Sequence, residues 1–327
     1  VVTTNIAGGS VSVFRNVSTG NITAGTFENK VDFTTGTSPR AVALADVDGD
    51  GKLDIVVANS AASSVSILRN TSSSGLISGS SFATKVDFTT GPSPVGVAVR
   101  DLDGDGRPEI VTSNSSASSV SILRNVSTSG TISGASFSAK VDFASGTNPQ
   151  GIAIGDIDSV GGKPDIVTAN NTGNNVSVFR NTSSLGSITT GSFAAKVDVA
   201  TANSPVSVTI GDIDGDGKFD VNTASVGDVV SILRNTSSSG SVSLASRVDF
   251  STGSGATPQT VTVGDVDGDG KVDVAVSNNG GNTVSVFRNS SSAGSITSGS
   301  LVAKVDFAGA TNGGPFGLAL NDIDGDG

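Results

Sequence analysis

One short phrase is written six times along this chain. Val/Ile-Phe/Leu-Arg-Asn recurs with its arginine at Arg15, Arg69, Arg124, Arg180, Arg234 and Arg288, at intervals of 54, 55, 56, 54 and 54 residues. A second phrase, Asp-x-Asp-Gly-Asp-Gly, starts at Asp46, Asp101, Asp212, Asp265 and Asp322, with a degenerate copy at Asp156. A third, Lys/Arg-Val-Asp-Phe/Val, begins at Lys30, Lys85, Lys140, Lys196, Arg247 and Lys304. Three phrases in one fixed order define six units of about 54 residues, the period range of stacked or radial repeat folds.

Four short segments of each unit have the composition of strands. In the first complete unit they are Ala41–Ala45, Leu53–Asn59, Ser64–Asn70 and Ala83–Thr90, rich in Val, Ile, Ala and Phe and bounded by turn residues. No stretch carries apolar residues at helical spacing. The Ser/Thr/Gly run Thr71–Gly75 resembles a flexible linker in isolation, but it recurs at a fixed place and is expected to be a long hairpin loop. Four strands make a blade, and six blades arranged radially make an all-β propeller whose strand edges are short and protected. An open stack of four-stranded units is the alternative.

The phase of the chain predicts how such a ring closes. Val1–Asn5 matches the second strand of a blade, and the chain ends just after a first strand, Phe316–Asn321. The amino-terminal strands are therefore expected to complete the last blade through backbone hydrogen bonds, making residues 1–327 a single six-repeat domain. A seventh blade outside the sequence is left open. A chain that begins Val1-Val2-Thr3 without Met reads as a piece of a longer, exported protein.

Absent residues narrow the chemistry. The chain has no Cys, His, Trp or Tyr, so thiolate and imidazole chemistry are unavailable. A formal charge of -11 disfavours nucleic acid and anionic lipid, and no apolar run has the roughly 18 residues of a membrane helix.

The acidic phrase is the one candidate site. In Asp46-Val47-Asp48-Gly49-Asp50-Gly51-Lys52-Leu53-Asp54, carboxylates at positions 1, 3, 5 and 9 converge if the loop curls, and Lys52 at position 7 can add its backbone carbonyl. An oxygen-only shell of this size suits Ca²⁺ better than Mg²⁺ or a transition metal. Without a cation the carboxylates repel one another. An EF-hand is excluded, because position 12 is Val57, Thr112, Thr223 or Val276 where that loop needs Glu, and strands flank the loops.

At this period, such a loop between two strands resembles the FG-GAP repeats of integrin α-subunit propellers and their bacterial VCBS-type relatives, and Phe316-Gly317 repeats the eponymous dipeptide. The resemblance implies one Ca²⁺ per blade in the hairpin between the first two strands. It carries over to Asp46, Asp48, Asp50 and Asp54, to Asp212, Asp214, Asp216, Lys218 and Asp220, and to Asp265, Asp267, Asp269, Lys271 and Asp273. In the loop of Asp101, Asp103, Asp105 and Arg107, Glu109 replaces the ninth aspartate. The loop holding Asp156, Asp158 and Asp165 has an extra residue and lacks the middle carboxylate, so it is expected to bind most weakly. Asp322, Asp324 and Asp326 lack a ninth ligand in this sequence. By analogy with the integrin relatives, ligand contacts would lie across the propeller, at the turns around Ser38–Arg40 and Ser93–Val95. The family usually builds seven blades, one more than the six counted here.

Nearly every charge belongs to the repeat. Of 30 acidic residues only Glu28 and Asp228 lie outside the loops and fourth strands, and of 19 basic residues only Arg40 and Arg100 break the template. Enzyme sites need an asymmetric set of differently tuned groups, so a non-catalytic role is expected. An alternative, a metal-assisted polysaccharide lyase, would need Glu28 or Asp228 beside an exposed Arg in a pocket. Six Ca²⁺ ions would bring the formal -11 close to neutrality.

Two further recurrences have competing readings. Asn16, Asn70, Asn125, Asn181, Asn235 and Asn289 each begin Asn-x-Ser, which reads either as an N-glycosylation acceptor or, preferred here, as a strand end where a left-handed turn begins. The Lys-Val-Asp rows are expected to be salt-bridged outer edges, which also discourage edge-to-edge aggregation. A lectin is the second non-catalytic alternative, although the chain has no Trp or Tyr for sugar stacking. The sequence is thus read as a secreted or cell-surface bacterial β-propeller, rigidified by Ca²⁺, that serves adhesion, binding or structure. Its partner would be an unidentified protein or glycan, or further copies of itself.

Overall fold

The computed structural model describes residues 1–323 apart from 19, 21, 24, 74, 160, 161 and 310–312. Among these residues there is no helix, and the strands form six antiparallel sheets, the all-β propeller architecture expected. The first sheet has three strands, Val2–Asn5, Ser10–Val13 and Val31–Thr34. The other five have four strands each, in chain order across the sheet. Sheet 2 runs Pro39–Ala45, Asp54–Asn59, Ser64–Leu68 and Val86–Thr89. Sheet 3 runs Pro94–Arg100, Glu109–Asn114, Ser119–Leu123 and Val141–Ala144. Sheets 4, 5 and 6 begin at Pro149, Pro205 and Pro258 and end at Ala200, Ser251 and Ala308.

Burial explains the strand compositions. The second strand of each complete sheet is buried along its whole length, as in Asp54–Asn59 and Asp220–Ser225, so it carries apolar residues on both faces. The fourth strand alternates, with Asp87 outward and Phe88 inward. Phe88 meets Phe137 edge-on at 5.0 Å and Phe33 meets Phe82 at 4.9 Å, so phenylalanines stitch one sheet to the next.

A polar row crosses each sheet, headed by an asparagine in all but sheet 5, where Ser225 stands instead. Asn59 Nδ2 donates to Ser66 Oγ at 2.8 Å, Ser66 Oγ donates to Asp87 Oδ1 at 2.6 Å, and Lys85 pairs with the other Asp87 oxygen. The salt-bridged outer edge expected from Lys-Val-Asp is therefore present, and it is tied inward to a buried asparagine. A side chain at Gly36 would come within 2.6 Å of Asn59, which is why this turn needs glycine.

The packing divides into two compact units. One comprises Val1–Phe143, Leu185–Thr190 and Asn321–Gly327, and the other Ala144–Ser184 and Gly191–Leu320. In the first, Val47, Val56, Ile67 and Ile110 belong to one buried apolar cluster, and in the second Ile213, Ile232, Val274 and Phe287 form the counterpart.

One expectation about closure is corrected. Phe316–Asn321 forms no strand, the first sheet stays at three strands, and among the described residues no hydrogen-bonded ladder joins the chain ends. The backbone of this segment is held by side chains of sheet 6 instead. The Phe316 carbonyl accepts from Thr260 Oγ1 at 2.6 Å and Ser277 Oγ at 3.0 Å, and Asn279 Nδ2 donates to the Gly314 carbonyl at 2.9 Å.

Candidate metal centre

Each of the five acidic loops from Asp46 to Asp273 links the first and second strands of its sheet, and its own carboxylates fold it. Gly49 and Gly51 adopt φ of 69° and 86°, the left-handed region that glycine enters without strain. Asp46 accepts the amides of Asp50 and Gly51 at 3.1 and 2.8 Å. The seventh residue is drawn in through its amide: Lys52, Arg107, Lys218 and Lys271 each donate N–H to the fifth carboxylate at 2.9–3.0 Å.

Three carboxylates then converge to within 4.8 Å of one another in each of five loops. The sets are Asp46, Asp48 and Asp50; Asp101, Asp103 and Glu109; Asp156, Asp158 and Asp165; Asp212, Asp214 and Asp220; Asp265, Asp267 and Asp269. Asp105, Asp216, Asp54 and Asp273 are in the same loops but outside these sets. The described chain runs to Ile323, so it includes Asp322, whereas Asp324 and Asp326 lie outside the described residues.

The ninth carboxylate anchors the loop. Asp54 accepts the amides of Val47 at 3.1 Å and Asn70 at 2.7 Å, and Asp220 accepts those of Ile213 at 3.0 Å and Asn235 at 2.8 Å. Burial pushes these groups up, Asp54 and Asp165 to about 6 and Asp220 and Glu109 to about 7. Burial, with the nearby charge of Asp50, also raises Asp48. Two buried oxygens, Asp48 Oδ2 and Asp156 Oδ1, accept no hydrogen bond. A buried carboxylate oxygen without a donor, beside two more carboxylates, fits a hard cation.

The arginine of the first phrase, to which the sequence alone gave no role, belongs to this centre. Arg124 Nε and Nη2 reach Asp103 at 2.9 Å and Asp105 at 3.0 Å. Arg234 spans Asp214 and Asp216 at 2.5 and 2.7 Å, and Arg288 spans Asp267 and Asp269 at 2.8 and 3.1 Å. Arg69 stands 3.7 Å from both Asp48 and Asp50, and Arg180 stands 3.7 Å from Asp158. Burial raises Asp105, but the bonds from Arg107 and Arg124 outweigh it and hold its carboxyl below the usual range. The sequence signal was the strict recurrence of arginine directly after the last apolar residue of the third strand.

Asn-x-Ser corrects the turn reading. None of the six asparagines is left-handed; each accepts the amide two residues on, as Asn70 Oδ1 does from Ser72 at 2.9 Å. The amide nitrogen faces inward, and Asn125, Asn235 and Asn289 are buried, which leaves no room for a glycan on them. The two template-breaking acids are also placed: Glu28 pairs with Arg15 at 2.7 Å, and Asp228 caps the turn of Gly255 and Thr257.

Comparison with known proteins agrees with the repeat and the fold. The family model for FG-GAP-like repeats matches residues 1–57, 46–112, 101–159, 162–223 and 265–327. No curated protein sequence matches the chain. Solved structures share the fold at low identity. A 6-phosphogluconolactonase-like protein of Bacteroides fragilis aligns at 15% identity and a TM-score of 0.60, covering 94% of this chain and 84% of its own. Virginiamycin B lyase of Staphylococcus aureus aligns at 12% and 0.54, covering 94% and 83%. An Agrocybe aegerita lectin that recognises non-reducing terminal N-acetylglucosamine aligns at 17% and 0.54, covering 94% and 79%.

Proposed function

Because this chain belongs to the FG-GAP-like repeat family, we propose that it is a non-catalytic propeller stiffened by calcium, acting as a binding, adhesion or structural module at a cell surface or in the extracellular space. The charge of each regular loop carries the proposal. The four carboxylates of the Asp46 loop are opposed by Lys52 and by Arg69, which leaves a local charge of -2. The Asp101, Asp212 and Asp265 loops have the same composition, with Arg124, Arg234 and Arg288 as the second cation. One divalent ion neutralises each.

Oxygen donors alone favour Ca²⁺ over softer metals, and a loop hinged at glycines suits its flexible coordination. Bound there, the ion would supply charge neutralisation at the hinge between first and second strands. The Asp, Glu and backbone groups of that hinge would hold it, and Arg would orient the outer carboxylate oxygens.

The test is calcium stoichiometry by equilibrium dialysis, paired with thermal melting in calcium and in chelator. Four ions per chain and a lower melting temperature in chelator are expected. At tenfold excess over the dissociation constant each ion contributes about 1.4 kcal/mol. Unchanged melting after exhaustive chelation would sink the proposal.

A further inference from the structure

Three sheets carry, at the seventh position of the acidic loop, a lysine that reaches across its own sheet. Lys163 Nζ donates to the Ser183 carbonyl at 2.5 Å, Lys218 Nζ to Ser237 at 2.7 Å, and Lys271 Nζ to Ser291 at 2.9 Å. Each acceptor is the serine of Asn-x-Ser, so sheets 4, 5 and 6 seat one ammonium on one carbonyl at the same place in the repeat. Lys52 of sheet 2 makes no such bond among the described residues.

Sheet 3 departs from this pattern. Its seventh residue is Arg107, and the side chain turns back on its own loop. Arg107 Nη2 donates to Asp105 Oδ2 at 2.8 Å, and the Arg107 amide donates to Asp105 Oδ1 at 3.0 Å. A planar guanidinium matches a carboxylate, whereas a compact ammonium with rotatable donors suits a lone carbonyl. The Ser127 carbonyl, counterpart of those of Ser183, Ser237 and Ser291, accepts no hydrogen bond among the described residues.

A cavity of about 470 Å³ opens at this place, lined by residues 46–49 of the sheet 2 loop and by residues 106–108 and 127–129 of sheet 3. The Asn-x-Ser of sheet 3 grips the sheet 2 loop and fixes the cavity wall. Asn125 Nδ2 donates to the Val47 carbonyl at 2.8 Å, Ser127 Oγ donates to the same carbonyl at 3.1 Å, and Ser129 Oγ donates to the Gly49 carbonyl at 2.9 Å. The Asp48 side chain is fully buried, and its Oδ2 accepts no hydrogen bond, with Arg69 no nearer than 3.7 Å. Asp46 and Asp48 thus bring two negative charges to the lining, while the guanidinium of Arg107 is already paired with Asp105. The cavity is too large for an ammonium alone and has room for the short alkyl chain that carries one.

We propose that this cavity binds a small primary amine. Its ammonium takes on the Ser127 carbonyl the place that lysine holds in sheets 4, 5 and 6, and the carboxylates of Asp46 and Asp48 supply the opposing charge. The site does not depend on the calcium reading, because every group invoked belongs to the chain itself.

The experiment is an amide chemical-shift titration of the 327-residue chain with butylamine, the lysine side chain without its backbone, in chelator and at low salt. Saturable shifts centred on Gly49, Gly106, Ser127 and Ser129 are expected, and butanol should produce none. Arg107→Lys supplies the sheet's own ammonium to Ser127 and should weaken butylamine roughly tenfold or more, the effect of one charge-assisted hydrogen bond. Arg107→Gln removes the arginine without supplying an ammonium and should bind butylamine as the unmodified chain does. Nα-acetyl-lysine amide separates the sources of the amine: shifts equal to those of butylamine extend the site to lysyl side chains, and weaker ones confine it to free amines. Absence of localised shifts, equal shifts with butanol, or undiminished binding by Arg107→Lys would overturn the proposal. So would an equal loss in Arg107→Gln, which would make the arginine itself the contact. None of these results bears on calcium stoichiometry.

Discussion

The Asp212 and Asp156 loops occupy the same place in neighbouring sheets, yet only one has the full ligand set. Both keep the ninth aspartate as a backbone anchor: Asp220 binds the amides of Ile213 and Asn235, and Asp165 binds those of Ile157, Asp158 and Asn181 at 2.9, 3.2 and 2.7 Å. Both are also gripped by the asparagine of the following sheet, with Asn235 Nδ2 donating to the Ile157 carbonyl at 3.0 Å and Asn289 Nδ2 to the Ile213 carbonyl at 2.7 Å. They differ in the middle carboxylate. With Lys163 and Arg180 against three acids, the Asp156 loop has a local charge of -1 where the Asp212 loop has -2. On the proposed reading, anchoring and cation binding are separate duties, and the Asp156 loop keeps the first with a weaker donor set for the second.

The largest expected effect tests the anchoring half. Asp165→Ala and Asp220→Ala each leave two or more buried amides without acceptors, costing on the order of 3 kcal/mol. Urea denaturation in chelator should show similar losses for the two. A silent Asp165→Ala would mean that the anchor has no role where the ion is absent, and the comparison would collapse.

Ion counting sharpens the other half. Asp214→Asn should lower the calcium stoichiometry by one, and Asp158→Asn should leave it unchanged. An equal drop in both would place an ion at the -1 loop and remove the distinction.

The pH dependence follows from the raised anchors. A carboxyl whose folded value lies above its unfolded value, 3.8 for aspartate and 4.5 for glutamate, favours folding while protonated. That contribution is complete below about pH 4 and is lost as pH rises through about 6 for Asp54 and Asp165 and about 7 for Asp220 and Glu109. The outer-edge acids Asp32 and Asp306, lowered by Lys30 and Lys304 and by serine hydroxyls, act in the opposite sense and only below the ordinary carboxylate range. Melting in chelator should therefore fall between pH 5 and about 7. Calcium should flatten the parts due to Asp54, Glu109 and Asp220 and leave the part due to Asp165. A rise over that window in chelator would contradict the assignment.

The sequence revealed the repeat, the strands and the acidic loops because each is local or strictly periodic. The grip of one sheet's asparagine on the preceding sheet's loop escaped it. Asn125 and Val47 are 78 residues apart, and a repeat states where a residue recurs without saying which neighbour it meets. The arginine fork was hidden for the same reason, although the recurring charge of -2 was already written in the residues. Closure failed differently. Phe316–Asn321 has the composition of a first strand, but hydroxyls of Thr260 and Ser277 take a carbonyl that a ladder would use.

The smallest effect separates charge from donors as the reason the Asp156 loop differs. Lys163 Nζ donates to the Ser183 carbonyl at 2.5 Å, as Lys218 Nζ does to Ser237 at 2.7 Å. Lys163→Met removes that bond and one positive charge, so stability should fall by no more than about 1 kcal/mol. The local charge then becomes -2, equal to that of the Asp212 loop, while the donor set remains one carboxylate short. If donors decide binding, calcium stoichiometry stays where it was. If the variant gains an ion, neutralisation outranks coordination, and the missing middle carboxylate is not what sets this loop apart.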